Sequence, residues 1–154
     1  MSGGSFRRGG TYAGGVPRAA ATAAPARSAI YGVGIDLLHI SRMAEVHGRH
    51  AERLAQRILH PLELQRLGTV KNPVNYLAKC FAVKEAFVKA LGTGFRGIAH
   101  DEVGWTRIQH GRPELCVTPR VQAMLASRGI GAMHLSITDE LDLVCAVVTL
   151  ERST

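Results

Sequence analysis

The sequence predicts a single α+β domain in which an antiparallel sheet packs against one long helix. Residues 74–91 carry apolar side chains at the three-, four- and seven-residue steps of a buried helix. Residues 102–118 and 133–150 instead show the alternation of paired strands, each pair interrupted by a polar turn. Hairpins separated by helices favour a sheet that the helices cover on one face.

The first half of the domain is predicted as a strand followed by helices. The segment IYGVGIDL suits a strand that ends near Asp36. Residues 41–58 predict a helix with Ser41 as its N-cap and a break at Gly48. Pro61 can open a short helix, PLELQRL, because the first turn of a helix does not need its missing N–H.

The second half is predicted as two hairpins around one further helix. The glycines of GTG end the long helix, and the first hairpin turns at HGRP. Residues 119–127 predict a helix that Gly129 closes. The last hairpin turns at the polar residues DELD, positions 139–142.

The composition is that of a globular protein that needs neither a membrane nor disulfides. Of 154 residues, 46% are hydrophobic and 20% charged, and no apolar run approaches the roughly 18 residues that span a bilayer. The cysteines at positions 80, 116 and 145 lie singly in apolar sequence, without the C-x-x-C pair of a metal site. Reduced thiols of this kind indicate a soluble, cytoplasmic protein.

Residues 1–29 differ from the rest of the chain. They are rich in Gly, Ala, Ser and Arg and nearly lack large apolar residues, so they cannot offset the entropy of ordering themselves. We therefore predict a disordered N-terminal extension or leader, followed by one domain over residues 30–154. The net charge is +7, but four arginines lie in the extension, which contains no acid, so the domain carries only +3.

The first candidate motif is GVGIDLLHISR, in which Asp36 follows a strand with two glycines. Glycines let another part of the chain approach closely, and a carboxylate at a strand end can bind a hard cation. Arg42 follows six residues later. Taken alone, the pattern also fits an ordinary sheet edge.

The second candidate motif is FAVKEAFVKALGTG, in the long helix. Glu85 and Lys89 lie four residues apart on one helical face, where such a pair commonly forms a surface salt bridge. The glycine-rich end favours a different interpretation, because Gly92, Thr93 and Gly94 let the chain pass close to a phosphate while lysines supply positive charge. The motif therefore predicts a polyanion site.

The third candidate motif is HLSITDE. Strand alternation puts His134, Ser136 and Thr138 on one face and Leu135 and Ile137 on the other. Such a face is either solvated sheet or a row of hydrogen-bonding groups for a ligand.

In this order, and over residues 30–152, the three motifs resemble those of the small holo-acyl-carrier-protein synthases, the stand-alone phosphopantetheinyl transferases of bacterial fatty acid biosynthesis. The resemblance implies the 4′-phosphopantetheinyl transferase fold and transfer of 4′-phosphopantetheine from coenzyme A to a serine of apo-acyl carrier protein. Adenosine 3′,5′-bisphosphate is the second product. The resemblance also implies Mg²⁺ as cofactor and a homotrimer whose active sites lie between subunits.

The same resemblance assigns roles to individual residues. Asp36 and Glu85 are expected to bind Mg²⁺, for which carboxylates are suitable ligands. With Lys89, which would contact the pyrophosphate, they form the expected catalytic set. The expected contacts to coenzyme A are Lys84, Lys89, Gly92, Thr93, Gly94, His134 and Ser136. The general base is left open between a metal-associated water and a carboxylate.

The resemblance implies that the carrier protein docks on the first helix. Arg42, Arg49, Arg53 and Arg57 cluster within about 80° of one another at 100° per residue, which gives a basic stripe. A solvated helix face would also explain the stripe. Carrier proteins of this type are acidic, however, so a cationic surface complements them.

One position departs from the family pattern. The family usually has an arginine immediately before the aromatic residue of the second motif, whereas this chain has Cys80. Lys79 beside it points about 100° away on a helix, so it replaces the charge without the same geometry. We therefore expect coenzyme A to bind somewhat more weakly than in relatives.

Two other functions stay open at the level of sequence. One is a catalytically silent module that binds coenzyme A or a carrier protein, and the other is a basic nucleic-acid-binding protein. The nucleic-acid function is disfavoured by an aromatic content of 5%, by the modest charge of the domain and by the lack of a recognised binding motif.

Overall fold

The computed structural model describes residues 28–154, and within this range the chain forms five strands, four α-helices and two short 3₁₀ helices. None of these helices combines the length and the apolar character needed to cross a bilayer. The strands are β1 (Ile30–His39), β2 (Val103–Arg107), β3 (Pro113–Val117), β4 (Ile130–Glu140) and β5 (Leu143–Arg152). The helices are α1 (Ile40–Ile58), α2 (Pro61–Leu67), α3 (Pro73–Leu91) and α4 (Pro119–Ser127). The predicted α+β class is confirmed.

The strands form two antiparallel sheets. In the larger sheet β5 lies between β1 and β4, whereas β2 and β3 form a separate hairpin. The pairing of β1 with β5 places Asp36 opposite Ala146. The pairing of β4 with the other side of β5 places His134 opposite Thr149. The strands that carry the first and third motifs are therefore the two edges of one sheet.

Helix α3 forms the centre of the molecule. Most of its residues are buried, because it packs against the larger sheet and also contacts α1 and β2. A helix enclosed in this way is apolar around most of its circumference. The sheet contributes alternate residues of β5, all of them fully buried: Val144, Ala146, Val148 and Leu150.

Two glycines allow β1 to lie directly on α3. A Cβ atom on Gly34 would lie 1.9 Å from the carbonyl oxygen of Ala86, and a Cβ on Gly32 would lie 2.0 Å from that of Ala90. These distances are far inside van der Waals contact, so any larger residue would push the strand off the helix. The close approach predicted for the glycines is confirmed, and the element that approaches is α3.

A buried ion pair joins α2, α3 and β2. Lys84 and Glu63 have no exposed surface, and Lys84 Nζ lies 2.5 Å from Glu63 Oε2. Lys84 also donates to the carbonyl of Val103. The carboxylate of Glu63 accepts from the backbone N–H groups of His60 and Trp105, at 2.9 and 3.1 Å. Both carboxylate oxygens are therefore satisfied, which is the condition under which a buried ion pair is tolerated.

The face of the larger sheet that points away from α3 is exposed and partly apolar. Val33, Ile35 and Leu37 of β1 are 57%, 58% and 63% exposed, because they alternate with the residues that face the helix. Exposed apolar side chains in a row are typical of an interaction surface.

Two predicted strand boundaries are wrong. β1 does not end near Asp36 but continues to His39, because its pairing with β5 persists as far as Leu143. At the last hairpin β4 continues to Glu140, so the turn contains only Leu141 and Asp142 instead of the four residues DELD. Two-residue turns are the commonest connection between antiparallel strands.

Two details predicted for α1 are also wrong. The helix begins at Ile40 with His39 at the N-cap, so Ser41 lies in the first turn. The helical backbone is interrupted at His50, with φ −148° and ψ 35°, and not at Gly48.

The predictions made for residues 1–27 lie outside the described residues. Ser28 and Ala29, the last two residues of the predicted extension, contact the end of β5. The carbonyl of Ala29 accepts from the backbone N–H of Arg152 at 2.7 Å, and the carbonyl of Ser28 accepts from Arg152 Nε at 3.2 Å. The predicted domain start at residue 30 stays a prediction.

Candidate active site

Three charged side chains meet where β1 crosses α3. Lys89 Nζ lies 2.7 Å from Asp36 Oδ1 and also donates to the carbonyl of Ile35 at 3.2 Å. The Asp36 side chain is 12% exposed, whereas that of Lys89 is 51% exposed. Glu85 precedes Lys89 by about one helical turn and is half-buried. The structure therefore brings together the three residues of the predicted catalytic set.

Lys89 pairs with Asp36 and not with Glu85, its neighbour along the helix. Within residues 28–154 the Glu85 carboxylate has no hydrogen-bonded or ion-paired partner. Burial raises the pKa of Glu85, the negative charge of Asp36 raises this pKa further, and the positive charge of Lys89 lowers it. Glu85 is therefore a carboxylate in surroundings that would favour an added cation.

The donor set at this site fits Mg²⁺. Residues 28–154 contain no group of three or more His, Cys, Asp or Glu side chains able to hold a metal ion. Magnesium does not require such a group, because it is commonly held by one or two carboxylates together with water and substrate phosphates. Asp36 and Glu85 offer two hard oxygen donors. A cation between them would offset both the burial and the repulsion from Asp36, the two effects that raise the pKa of Glu85.

The glycine-rich segment ends α3 and leaves its backbone open on one side. Gly92 closes the helix with φ 77°, and Gly94 has φ 57°, a region that favours glycine. Apart from the adjacent residues of the chain, no atom of the described residues lies within 4 Å of a Cβ position on either glycine. Thr93 Oγ1 donates to the carbonyl of Gly94 at 2.9 Å. The prediction that these residues end the helix is confirmed, and their contact with coenzyme A stays a prediction.

His134 and Ser136 lie on the exposed face of the sheet, as the alternation of the third motif predicts. His134 and Val33 both pair with Thr149, so they share the face that points away from α3. Asp36 points toward α3 instead. Within one chain, the structure does not bring these two parts of the predicted site together.

His134 borders a cleft between β3 and β4. Its Nε2 lies 2.8 Å from Glu151 Oε1. The cleft has a volume of about 200 Å³ and is lined by Arg112, Pro113, Glu114, Met133, His134 and Leu135. Arg112 is a lining residue that the motifs do not predict, since in the sequence it is only part of the HGRP turn. Its position could have indicated a role, because Arg112 directly precedes β3 and β3 contacts β4, the strand that carries the third motif.

Lys84 does not line the site, and the predicted contact between Lys84 and coenzyme A is wrong. Its side chain is fully buried and bound to Glu63. Its spacing could have shown this, because Lys84 lies seven residues after Leu77 and four before Val88, on the apolar stripe of the helix.

Cys80 is also placed away from the site. It is fully buried, and burial raises the pKa of its thiol. It lies nine residues before Lys89, which corresponds to the opposite side of the helix. Lys79 forms an ion pair with Asp139 at 2.7 Å. Because Cys80 is buried away from Lys89 within one chain, its position gives no support to weaker binding of coenzyme A, which stays a prediction.

The four arginines of the predicted docking stripe are exposed on α1, but the interruption at His50 separates Arg42 and Arg49 from the other two. The predicted stripe requires a regular rotation of about 100° per residue along the whole helix. Because the backbone is not helical at His50, the stripe is not continuous. Instead two adjoining grooves share Val46 and Leu54. One is lined by Leu38, Arg42, Met43, Val46, Leu54 and Phe81, and the other by Val46, His50, Arg53, Leu54 and Arg57.

Sequence and structure comparisons agree on the family. A profile described as the 4′-phosphopantetheinyl transferase superfamily matches residues 32–141. A holo-[acyl-carrier-protein] synthase of Thiobacillus denitrificans is 44% identical over 125 residues, which cover 80% of this chain and 95% of that protein. The crystal structure of the synthase from Neisseria meningitidis has a TM-score of 0.78 at 40% identity, covering 80% of this chain and 99% of that chain. A synthase from Bacillus anthracis, solved in complex with CoA (3′,5′-ADP), has a TM-score of 0.67 at 27% identity, covering 80% and 98%.

The chain therefore belongs to the 4′-phosphopantetheinyl transferase superfamily and, within it, to the holo-[acyl-carrier-protein] synthase family. The predicted fold and the predicted class of enzyme, a phosphopantetheinyl transferase, are both confirmed.

Proposed function

We propose that this protein transfers the 4′-phosphopantetheine group of coenzyme A to a serine of an apo-acyl carrier protein and releases adenosine 3′,5′-bisphosphate. The observation that carries the proposal is the meeting of Asp36, Glu85 and Lys89 at the contact between β1 and α3. The names of relatives that this chain covers almost completely support the same reaction.

The proposed reaction breaks a phosphoanhydride bond of coenzyme A and forms a phosphoester bond to the carrier protein. The serine oxygen of the carrier protein forms a bond to the β-phosphorus of coenzyme A. The bond from that phosphorus to the bridging oxygen of the pyrophosphate breaks, and its electron pair leaves with the bisphosphate. The serine proton passes to a carboxylate or a water at the site. The protein must therefore align the reactants and neutralise the charge that develops on the leaving group.

Asp36 and Glu85 would hold Mg²⁺, which when bound supplies positive charge to the pyrophosphate. Lys89 would contribute a second positive charge, because its half-exposed ammonium can turn from Asp36 toward a phosphate oxygen. The carboxylates lie on two elements whose contact leaves no space for a side chain at Gly34. Their relative position is therefore held by the fold.

The rest of the proposed site comes from a second copy of the chain, in a homotrimer. His134 and Ser136 face away from Asp36 within one chain, so they can complete a site only on a neighbouring chain. The exposed row of Val33, Ile35 and Leu37 supports an interface on this face. His134 and Ser136 would contact the nucleotide part of coenzyme A, and the open backbone of residues 92–94 would let its phosphates approach.

The carrier protein would dock on α1. Arg42, Arg53 and Arg57 border two grooves with the apolar residues Val46 and Leu54 between them. An acidic protein would meet positive charge at the edges and apolar surface at the centre, a combination that favours fast and specific association.

Fatty acid biosynthesis in the cytoplasm is the proposed setting. The free thiols of Cys80, Cys116 and Cys145 support the compartment, because they suit a reducing environment. The pathway is what the resemblance to the family implies.

One mass-spectrometric experiment tests the proposed reaction. Incubation with coenzyme A, Mg²⁺ and an apo-acyl carrier protein should add the mass of phosphopantetheine to the carrier protein. Glu85→Gln should suppress the gain, whereas Glu140→Gln, at an exposed glutamate of β4, should not. Binding of coenzyme A without a mass gain would favour a silent module instead. Salt-sensitive retardation of DNA without a mass gain would favour nucleic-acid binding.

Sedimentation tests the proposed trimer. The wild-type chain should sediment as a trimer, and Ile35→Asp, which puts a charge on the exposed face of β1, should reduce both assembly and transfer. A monomer with full activity would contradict the shared site. Leu64→Asp is a matched control, because Leu64 is also exposed but lies on α2.

A further inference from the structure

The N-terminus of α1 is capped by a residue about one hundred positions away in sequence. His39 at the N-cap makes no side-chain cap bond, and the first turn contains no acidic residue. The first N–H groups of a helix nevertheless need acceptors, because the helix itself supplies none. These acceptors come from Asp142, in the turn between β4 and β5.

Four contacts converge on Asp142. Its carbonyl accepts from the backbone N–H of Ile40 at 2.8 Å. Its carboxylate accepts from the backbone N–H of Ser41 at 2.9 Å and from the Ser41 hydroxyl at 2.7 Å. The Nδ1 atom of His39 lies 3.2 Å from the same carboxylate. One residue therefore contacts the N-cap and the first two residues of the helix.

The carboxylate of Asp142 is held in its charged form. The bonds from the hydroxyl and the N–H of Ser41 lower the pKa of Asp142. A negative charge is favourable at the positive end of the helix dipole. Asp142 therefore stabilises the start of α1 both by its hydrogen bonds and by its negative charge.

The turn that presents Asp142 has an uncommon backbone. Leu141 has φ 52°, in the left-handed region where side chains other than glycine are disfavoured, and it is 94% exposed. Because the side chain of Leu141 is exposed, it makes little stabilising contact with the rest of the domain. The two-residue turn nevertheless places both the carbonyl and the carboxylate of Asp142 against α1.

We propose that Asp142 is a positioning residue for carrier docking, because its contacts fix the first turn of α1 and with it Arg42. Arg42 follows Ser41 directly and borders the apolar groove on α1. This inference rests on the proposed docking of an acidic carrier protein there. Loss of the cap would let the first turn fray and displace Arg42. The contact of β1 with α3 would still hold Asp36 beside Lys89.

Asp142→Ala tests the proposal against a charge-matched control. Glu140→Gln removes one negative charge from the same hairpin, and Glu140 has no bond to α1 within the described residues. Removal of a negative charge alone should leave the KM for an acidic carrier protein unchanged or slightly lower. Loss of the contacts between Asp142 and α1 should instead raise this KM. We expect Asp142→Ala to raise the carrier KM about three- to tenfold while kcat and the KM for coenzyme A stay within about twofold.

Hydrogen exchange gives a readout that does not depend on activity. The amides of residues 40–43 should exchange faster in Asp142→Ala than in the wild type, and at the wild-type rate in Glu140→Gln. Ser41→Ala removes one of the contacts and should give an intermediate increase. It serves as the test variant if Asp142→Ala folds poorly.

Three outcomes would overturn the proposal. Unchanged exchange in Asp142→Ala would show that Asp142 does not stabilise the first turn. Faster exchange with an unchanged carrier KM would show that this turn does not position the docking surface. A wild-type chain that transfers nothing to a carrier protein would remove the proposed function and the docking role with it, whereas the exchange rates would still report the cap.

Discussion

The ammonium of Lys89 lies 2.7 Å from the carboxylate of Asp36, across the contact between α3 and β1. In the proposed reaction these two groups have different partners, the pyrophosphate for Lys89 and Mg²⁺ for Asp36. The ion pair must then loosen when both ligands bind. In the free protein, Lys89 would therefore compete with Mg²⁺ for Asp36 if the proposed reaction is correct.

Replacing Lys89 should affect metal binding and turnover in opposite directions. In Lys89→Met we expect Mg²⁺ to bind more tightly in the absence of coenzyme A, because Asp36 loses its competing partner. The same change should lower kcat about 10²-fold, since one positive charge near the leaving group is lost. Titration calorimetry and steady-state kinetics measure the two effects. Lys71→Met, at an exposed lysine, is the control, and a parallel loss of metal affinity and kcat would contradict the competition.

The raised pKa of Glu85 makes stability depend on pH. The folded protein binds a proton at Glu85 more tightly than the unfolded chain does, for which the ordinary pKa is 4.5. The stability associated with this proton is present below pH 4.5 and is lost as pH rises through the raised pKa. We therefore expect Glu85→Gln to be more stable than the wild type at neutral pH without divalent cations, and the difference to shrink toward pH 4.5.

Urea unfolding at several pH values measures this difference. Glu140→Gln should track the wild type at every pH, because Glu140 is exposed. Addition of Mg²⁺ should stabilise the wild type and leave Glu85→Gln unchanged, since a ligand that binds only the folded state stabilises it. Equal stabilisation of both proteins would argue against Glu85 as a metal ligand.

Gly34 should tolerate no side chain. In Gly34→Ala the new Cβ would meet the carbonyl of Ala86, so β1 must move away from α3. We expect a loss of about 1–3 kcal/mol in the free energy of unfolding, together with reduced transfer because Asp36 is displaced. Gly48→Ala is the matched control, since no atom lies near its Cβ position. In a helix that change should be neutral or stabilise by about 0.5–1 kcal/mol. Equal stability of the two variants would contradict the contact.

Lys84 should matter for stability and not for the binding of coenzyme A. Lys84→Met leaves the buried carboxyl group of Glu63 without its ion-pair partner, which should reduce the free energy of unfolding by about 3–5 kcal/mol. The exposed-lysine control Lys71→Met should stay within about 0.5 kcal/mol of the wild type. Urea unfolding and the KM for coenzyme A distinguish the roles. A variant of wild-type stability with a raised KM for coenzyme A would instead support the predicted contact between Lys84 and coenzyme A.

Local patterns in the sequence predicted the elements well because they depend on neighbouring residues. The periodic segment from residue 74 corresponds to α3, which begins at Pro73, and the helix predicted over residues 119–127 matches α4. The meeting of Asp36 with Glu85 and Lys89 followed from motif resemblance, and the glycines of β1 gave it a physical basis.

Contacts between distant residues were not predictable in the same way. Lys84 is predicted to contact coenzyme A because it is a positively charged residue of the second motif, yet its partner is Glu63 on another helix. Ser41 is predicted as the N-cap of α1, whereas the N-cap is His39 and the acceptors for the N–H groups of Ile40 and Ser41 come from Asp142, near the other end of the chain. A sequence pattern shows which groups are polar, and the packing of the sheet and helices decides which of them meet.

The separation of Asp36 and His134 by the larger sheet has a consequence for mixed populations of chains. Each active site would combine Asp36 and Glu85 of one subunit with His134 of the next. A Glu85→Gln chain and a His134→Ala chain would then each lack a different part of the site. Co-assembly would then regenerate some intact centres from two inactive parents. A single inactive subunit would likewise inactivate only the active sites to which it contributes residues. Mixing wild-type and inactive chains would therefore reduce the activity of the assembly in proportion and would not abolish it.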